Sequence, residues 1–428
     1  LTLAELEALR PVIRDDQNMA LPLMEAGKAL RTYCDSQAFE DIRDRLPGVG
    51  TAEWPPLGER LPPAMADAID TFLADNTDAI DMAIEATKLP AGRYPIQIAS
   101  PPIMTLISHL SLHRLVAKAF AIRTIWNASI ESHEAGKDSF SHSLRLDMPL
   151  DRDPLLISAM VRVAIRASTL NTIQRTLALT PFSEEGLSAL SDQLKQSWKP
   201  DMLHVAMIGE RAMTYETMAD IYAGKTSWAN IVPGAGGGPT IGLLGRLIPG
   251  AAAADRAAAL HLLTDYCVAL QLPPHEARAK LQAVRTKATQ LPKYCLMTSI
   301  LIPSFGRAVY LFLRTDGKNR ATLAGLAAER FRLRHGRWPD SIDELVPDCL
   351  DAVPIDPFDG KPLRYIRDET GIRIYSIGED GQDHLGEISD FTKLQRPADW
   401  GIYLLNPDRR GREPSATAEP ESTGAGGE

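Results

Sequence analysis

The sequence is poor in the residues and patterns that signal chemistry. Its four cysteines, Cys34, Cys267, Cys295 and Cys349, lie far apart and form no CxxC. That excludes a zinc ribbon and a thioredoxin-type redox pair. Basic residues are outnumbered, 46 against 55 acidic for a net charge of −9, so a general nucleic-acid binder is excluded and no polybasic patch is offered to a membrane. No GxSxG occurs, and Ser, His and Asp are too frequent in a chain of this length to single out a triad. No repeat of fixed period is visible, so nothing points to a regular helical solenoid. The most apolar run, "CLMTSILIPSFGRAVYLFL" at residues 295–313, contains Pro303, Gly306 and Arg307. An arginine near the middle of a membrane span costs roughly 2.5 to 3.5 kcal/mol, and the run reads as a buried soluble helix.

What is present is mostly helical punctuation. A chain of 428 residues exceeds what one core usually serves and implies two or more domains. From residue 1 to about 290 apolar residues recur at helical spacing between proline and polar stops, which predicts a large, irregular α-helical domain. In "DPLLISAMVRVAIRASTLNTIQRTLALTP", Asp153 is placed to cap, Pro154 suits the first helical position and Pro181 forces a stop. Ser183 then caps the next helix, whose stripe is Leu187, Leu190, Leu194 and Trp198. A third helix over residues 201–223 has Leu203, Met207 and Ile221 as core candidates. Residues 231–250, "IVPGAGGGPTIGLLGRLIPG", are too rich in glycine and proline for a regular element and read as a loop folded back on the helices.

Three stretches imitate functional motifs. "ADIYAGKT" at residues 219–226 fits a relaxed phosphate loop, but a helix precedes it where a buried strand is needed, and Gly224 suits the left-handed residue that closes a helix. His109 and His113 in "HLSLH" would share a helix face as zinc ligands do, yet Leu110 stands where HExxH has Glu, which favours core or hydrogen-bonded histidines. Glu210 and Arg211 read as a partly buried charge pair tying helices together.

Beyond residue 290 the pattern changes. A long helix covers the apolar run and continues through "NRATLAGLAAERFRLRHGRWP", with a break expected at "TDGKN" around Asp316 and Gly317. Arg337, Trp338 and Pro339 end it, because proline disfavours helical geometry in the residue before it. "SIDELVP" makes a short helix, Asp356-Pro357-Phe358-Asp359-Gly360 a turn cluster with one aromatic anchor, and "KPLRYIRDETGIRIYSIG" a β-hairpin turning near Glu369 to Gly371. The expected class is mainly α: the helical domain over residues 1–290, then a small α+β domain of long helix and antiparallel sheet over residues 291–405. Residues 406–428 have few apolar side chains and are expected to be disordered. The acidity is concentrated here, since residues 340–390 hold 14 acidic and 4 basic residues, a net of −10. In "YSIGEDGQDHLG", Gly378 and Gly381 let carbonyls converge while Asp380 and Asp383 offer hard oxygens suited to Ca²⁺. The same residues serve equally in a plain hydrogen-bonded turn.

Taken in order, "ILIPSFGRAV", "LAAERFRLRHGRWPDSIDELVP", "VPIDPFDGKPLRY" and "GIRIYSIGEDGQD" resemble the major pseudopilins of type II secretion. In that family a long helix ends near a tyrosine-proline turn, a DP(W/F)G.P segment follows, and a hairpin closes with S.G.DG and a calcium loop. The resemblance covers about 100 of the 428 residues and implies a pseudopilin-like α+β domain with calcium ligands at Asp380, Asp383 and, by a looser alignment, Asp390, although His384 and Glu387 interrupt the family's spacing. The long helix lies near residue 300 instead of at the N-terminus, so the resemblance implies a retained pilin-like domain and not a polymerising subunit. It implies a non-enzymatic cell-envelope protein, periplasmic or extracytoplasmic, with protein partners in a secretion or pilus-like assembly. Because the chain opens at Leu1 and not Met, a removed segment is expected, either a signal peptide, a membrane anchor or sequence added for expression, and an anchor would give membrane association. The alternative is an enzyme with a cleft among the N-terminal helices acting on envelope polymers.

Overall fold

The computed structural model describes residues 1–130, 140–226, 250–388 and 399–415; the Gly/Pro-rich loop expected at 231–250 lies outside them except for Gly250, as does Asp390. The fold is mainly α, with a small three-stranded antiparallel sheet near the C-terminus. The helices are α1 (Leu3–Ala8), α2 (Ala20–Cys34), α3 (Gln37–Ile42), α4 (Pro63–Asp75), α5 (Thr77–Thr87), α6 (His109–Ser129), α7 (Leu156–Leu177), α8 (Glu184–Ser197), α9 (Met202–Ala223), α10 (Ala251–Ala269), α11 (Pro274–Thr289) and α12 (Leu296–His335). The sheet has the order β1 (Arg364–Asp368), β2 (Gly371–Ser376), β3 (Trp400–Leu405).

Three main cores form. The first joins α2 to α6 through Leu23, Leu30, Phe72, Ile80 and Phe120. The second gathers Leu170, Leu177, Leu187, Leu190 and Leu194 from α7 and α8 against Ala321, Leu326 and Phe331 of α12 and against Ile372, Ile374, Ile402 and Leu404 of the sheet. The third packs α9, α10 and α11 on the first half of α12. The expected boundary at residue 290 therefore separates two parts that share a core. Between Thr315 and Glu329 α12 is buried on nearly every side, and a helix apolar or buried all round needs cover on more than one face. The sheet supplies one cover; α7 and α8 supply another.

Several local expectations are visible as geometry. Ser183 accepts the Gly186 amide at 3.1 Å, and Leu187, Leu190, Leu194 and Trp198 are buried. β1 and β2 pair from Arg364↔Tyr375 to Asp368↔Gly371, the hairpin read from the alternation. Others are corrected. Asp153 does not cap α7, which begins at Leu156; it is buried in an ion pair with Arg10 at 2.7 Å. "TDGKN" is no break, because α12 runs unbroken through it. Its polar groups have distant buried partners: Trp198 Nε1 donates to Asp316 at 2.7 Å and Lys318 donates to Asn171. Gly317 lets the helix touch the end of β2, since a Cβ there would lie 3.0 Å from that of Ser376. The helix stops two residues earlier than the proline rule implies, at His335, closed by Gly336 with φ +71°, and Trp338 is buried beneath Arg332.

Residues 406–415, expected to belong to a disordered tail, are held in place. Arg410 forms a buried bidentate pair with Glu329, Gly411 donates to Ala178 and Arg412 to Gly58. Among the described residues α12 is the helix long and apolar enough to cross a membrane by length and composition, and half of that apolar window is buried in the fold.

Candidate functional site

The loop after β2 is shaped by glycines with positive φ, Gly378, Gly381 and Gly386, which carry the chain through conformations that side chains oppose. Its first half is tied to the "DPFDG" turn by Asp356, whose carboxylate is fully buried and accepts Ile377 N at 3.0 Å and Ser376 Oγ at 2.8 Å. Asp380 accepts Gln382 N at 3.1 Å. Asp383 accepts both Leu385 N at 2.8 Å and the Tyr375 hydroxyl at 3.0 Å. Asp380 and Asp383 thus each have an oxygen engaged in closing a turn, and the third predicted ligand, Asp390, lies outside the described residues. Sequence reasoning missed Asp399, fully buried ahead of β3, which accepts Gly386 N at 2.9 Å and His384 N at 3.4 Å. Burial raises its carboxyl above the usual range, opposed by those two amides. Its sequence signal is its place directly before the WGIYLL alternation. His384 lies 3.5 Å from Asp380 and 3.6 Å from Asp399, but among the described residues no group of three or more His, Cys, Asp or Glu side chains is arranged to hold a metal ion.

The motif look-alikes resolve into structure. Gly224 closes α9 in the left-handed region at φ +76°, and Lys225 is paired with Asp220 at 2.8 Å, so "AGKT" is a helix end. His113 lies between the Tyr94 hydroxyl at 2.6 Å and the Leu146 carbonyl at 2.9 Å, fully buried. His109 stacks on Tyr94 at 4.5 Å between centroids. Burial depresses both imidazoles to about 4, so they are neutral core groups at physiological pH.

Glu210 and Arg211 do not pair. Helix geometry turns adjacent residues about 100° apart; Arg211 reaches Thr264 on α10 at 3.3 Å, while Glu210 turns inward and is buried. Burial pushes the Glu210 carboxyl up to about 7, against a hydrogen bond from Thr214. A raised folded-state pKa means that its contribution is fully present below the unfolded carboxyl value, near 4.5, and is lost as pH rises through 7. Glu210→Gln, which mimics the protonated acid, is therefore expected to gain stability over the parent as pH rises from 5 to 8, by up to about 3 kcal/mol. Urea titrations of both proteins at pH 5, 6.5 and 8 check this, and a pH-independent difference would refute it.

A cavity of about 820 Å³ opens where α6, α7 and the middle of α12 meet the sheet. Its floor includes Ile122, Ala164, Ala167 and Asn171, and its other walls include Trp54, Thr315, Gly386 and Tyr403. The charged groups that line it are arginines and lysines from four elements. No protein-family model, no curated protein and no solved structure matches the chain.

Proposed function

We propose that this chain is a non-enzymatic cell-envelope protein whose C-terminal part is a pseudopilin-like interaction domain, working through protein partners in a type II secretion or pilus-like assembly. One observation carries the reading. The turn, hairpin and loop that make up the resemblance are joined into a single body by Asp356, which links the "DPFDG" turn to Ser376 and Ile377 at the head of the loop, on the face of the long helix that bears Gly317.

The test has three arms. Purified chain mixed with isolated pseudopilin subunits is expected to sediment as a complex; free sedimentation of both would remove the secretion assignment. Nucleotide, ester and glycan substrates are expected to survive incubation, and turnover abolished by a single substitution would overturn the non-enzymatic reading in favour of the envelope-polymer enzyme. Calcium belongs to the proposal as an ion held by Asp380, Asp383 and Asp390. Calorimetric titration with CaCl₂ is expected to give heat that Asp380→Asn/Asp383→Asn removes, and no heat in the parent would remove calcium alone.

A further inference from the structure

The 820 Å³ cleft has the size of a small-molecule site and two unlike ends. Along α6 the residues that border it are Arg114, Lys118, Ala121, Ile122 and Ile125, whose helical spacing puts them on one face. At 1.5 Å per residue they span roughly 16 Å. On α7 the border runs from Ala164 to Arg175, the same number of positions. Trp54 and Leu57 mark one end, since both also border, together with Ile125, a second and smaller pocket. Arg114 and Lys118 mark the other.

The body of the cleft favours an apolar occupant. Trp54, Leu57, Ala164 and Leu311 line it and keep part of their surface open. Three of its hydroxyls are turned to the chain's own groups: Thr172 donates to the Ser168 carbonyl at 2.9 Å, Thr315 to the Leu311 carbonyl at 3.0 Å and Tyr403 to the Thr370 hydroxyl. Gln174 accepts the Tyr403 amide at 3.2 Å. The cations of the wall are engaged as well. Arg175 donates to the Pro55 carbonyl at 2.8 Å and covers the Trp54 ring, Lys318 is 2 % exposed and donates to Asn171, and Arg373 pairs with Asp368 at 2.8 Å. None of the three supplies a free charge. A polar molecule entering this stretch gives up hydrogen bonds to water that it does not regain, whereas an alkyl chain gains about fourfold in affinity per buried methylene.

Arg114 and Lys118 differ. Both are exposed at the rim, one turn apart, and among the described residues the charged end of neither meets a hydrogen-bond or ion-pair partner. Like charges four apart on a helix repel each other, and one anion between them removes that repulsion. The two ends together describe the occupant: one anionic group where two unpaired cations meet water, and a narrow apolar body of up to about 16 Å behind it.

We propose that this cleft binds a single-headed anionic amphiphile, a long-chain alkyl carboxylate or phosphate monoester, with its head on Arg114 and Lys118 and its chain lying between α6 and α7 toward Trp54. This site is independent of the partner-binding reading above: either can fail alone.

Dodecanoate and dodecyl phosphate are the probes, each with its shorter homologues down to octyl, titrated into the full chain by calorimetry below their micelle concentrations. At least one dodecyl compound is expected to saturate at one to one, and its series to tighten about fourfold per added methylene. Binding is expected to shift tryptophan emission, and Trp54→Phe to diminish the shift. Arg114→Ala/Lys118→Ala is expected to weaken the anion at least about tenfold and to leave 1-decanol unchanged, which separates a lost head contact from a damaged cleft. Ala164→Leu, which puts a larger side chain into the body of the cleft, is expected to weaken anion and alcohol alike. Binding of dodecanoate only would assign a carboxylate head, and of dodecyl phosphate only, a phosphate. The proposal is overturned if neither dodecyl compound saturates, if affinity is indifferent to chain length, or if the double variant, folded by circular dichroism, binds as the parent does.

Discussion

Asp356→Ala is expected to lower the unfolding free energy by about 3 to 5 kcal/mol, the range for removing one partner of a buried charged network. The carboxylate is fully buried. One oxygen accepts Phe358 N and Ser376 Oγ, both at 2.8 Å, and the other accepts Ile377 N at 3.0 Å and Arg364 Nη1 at 2.9 Å. Truncation strips four donors at once, and two of them are the backbone amides of the buried Phe358 and Ile377; each orphaned donor costs about 1 to 3 kcal/mol. Arg364 keeps Asp359 at 2.5 Å, which limits the loss. Asp356→Asn restores volume but turns a donor toward donors, so it is expected to recover less than half of the stability. Guanidinium titrations of the three proteins check the series. A loss under about 1 kcal/mol in the alanine variant would mean that the turn is not what holds the hairpin to the loop, and would weaken the proposed interaction domain with it.

Legibility in the sequence follows the distance over which each residue finds its partners. The stripe of Leu187, Leu190, Leu194 and Trp198, the Ser183 cap and the β1–β2 hairpin depend on neighbours a few positions away, and periodicity displays them. "TDGKN" looks like a break by the same local logic. It is helix because Trp198 and Asn171, 118 and 147 positions distant from their partners, satisfy it. β3 pairs with β2 across the residues that lead to Asp399, too long an interval for a hairpin signal. Without that strand Asp399 has no place in the loop, and the sequence offers only Asp380, Asp383 and Asp390 as ligands. The cleft was invisible for the same reason: Arg114, Lys118, Arg175, Lys318 and Arg373 form no motif, and only the packing of α6 and α7 against α12 and the sheet brings them around one space.

Glu329→Ala is expected to destabilise by a similar amount, about 3 to 5 kcal/mol, and to do so by a different route. Glu329 is 1 % exposed and receives two bidentate arginines: Arg410 at 2.8 and 2.9 Å and Arg332 at 2.7 and 3.1 Å. Without the carboxylate two guanidinium groups face each other beside the Trp338 ring, and like charges at low dielectric repel strongly. Arg410→Ala, by contrast, leaves Glu329 with Arg332 and is expected to cost less, about 1 to 3 kcal/mol. The order of the two losses is the sharper result, because a merely packed side chain would give the reverse or none. Burial pushes the Glu329 carboxyl up, but the hydrogen bonds of Arg410 and Arg332 outweigh it and hold the group below its usual range. A depressed folded-state pKa gives stability that is present above the unfolded value and lost as pH falls through the folded one. The gap between parent and Glu329→Ala should therefore close below about pH 4. Because Arg410 also anchors residues 406–415, whose Gly411 and Arg412 bond to Ala178 and Gly58, the variant should be cut by trypsin after Arg409, Arg410 or Arg412 well before the parent is. Equal cleavage rates would show that this segment is held by its backbone bonds and not by the buried ion pair.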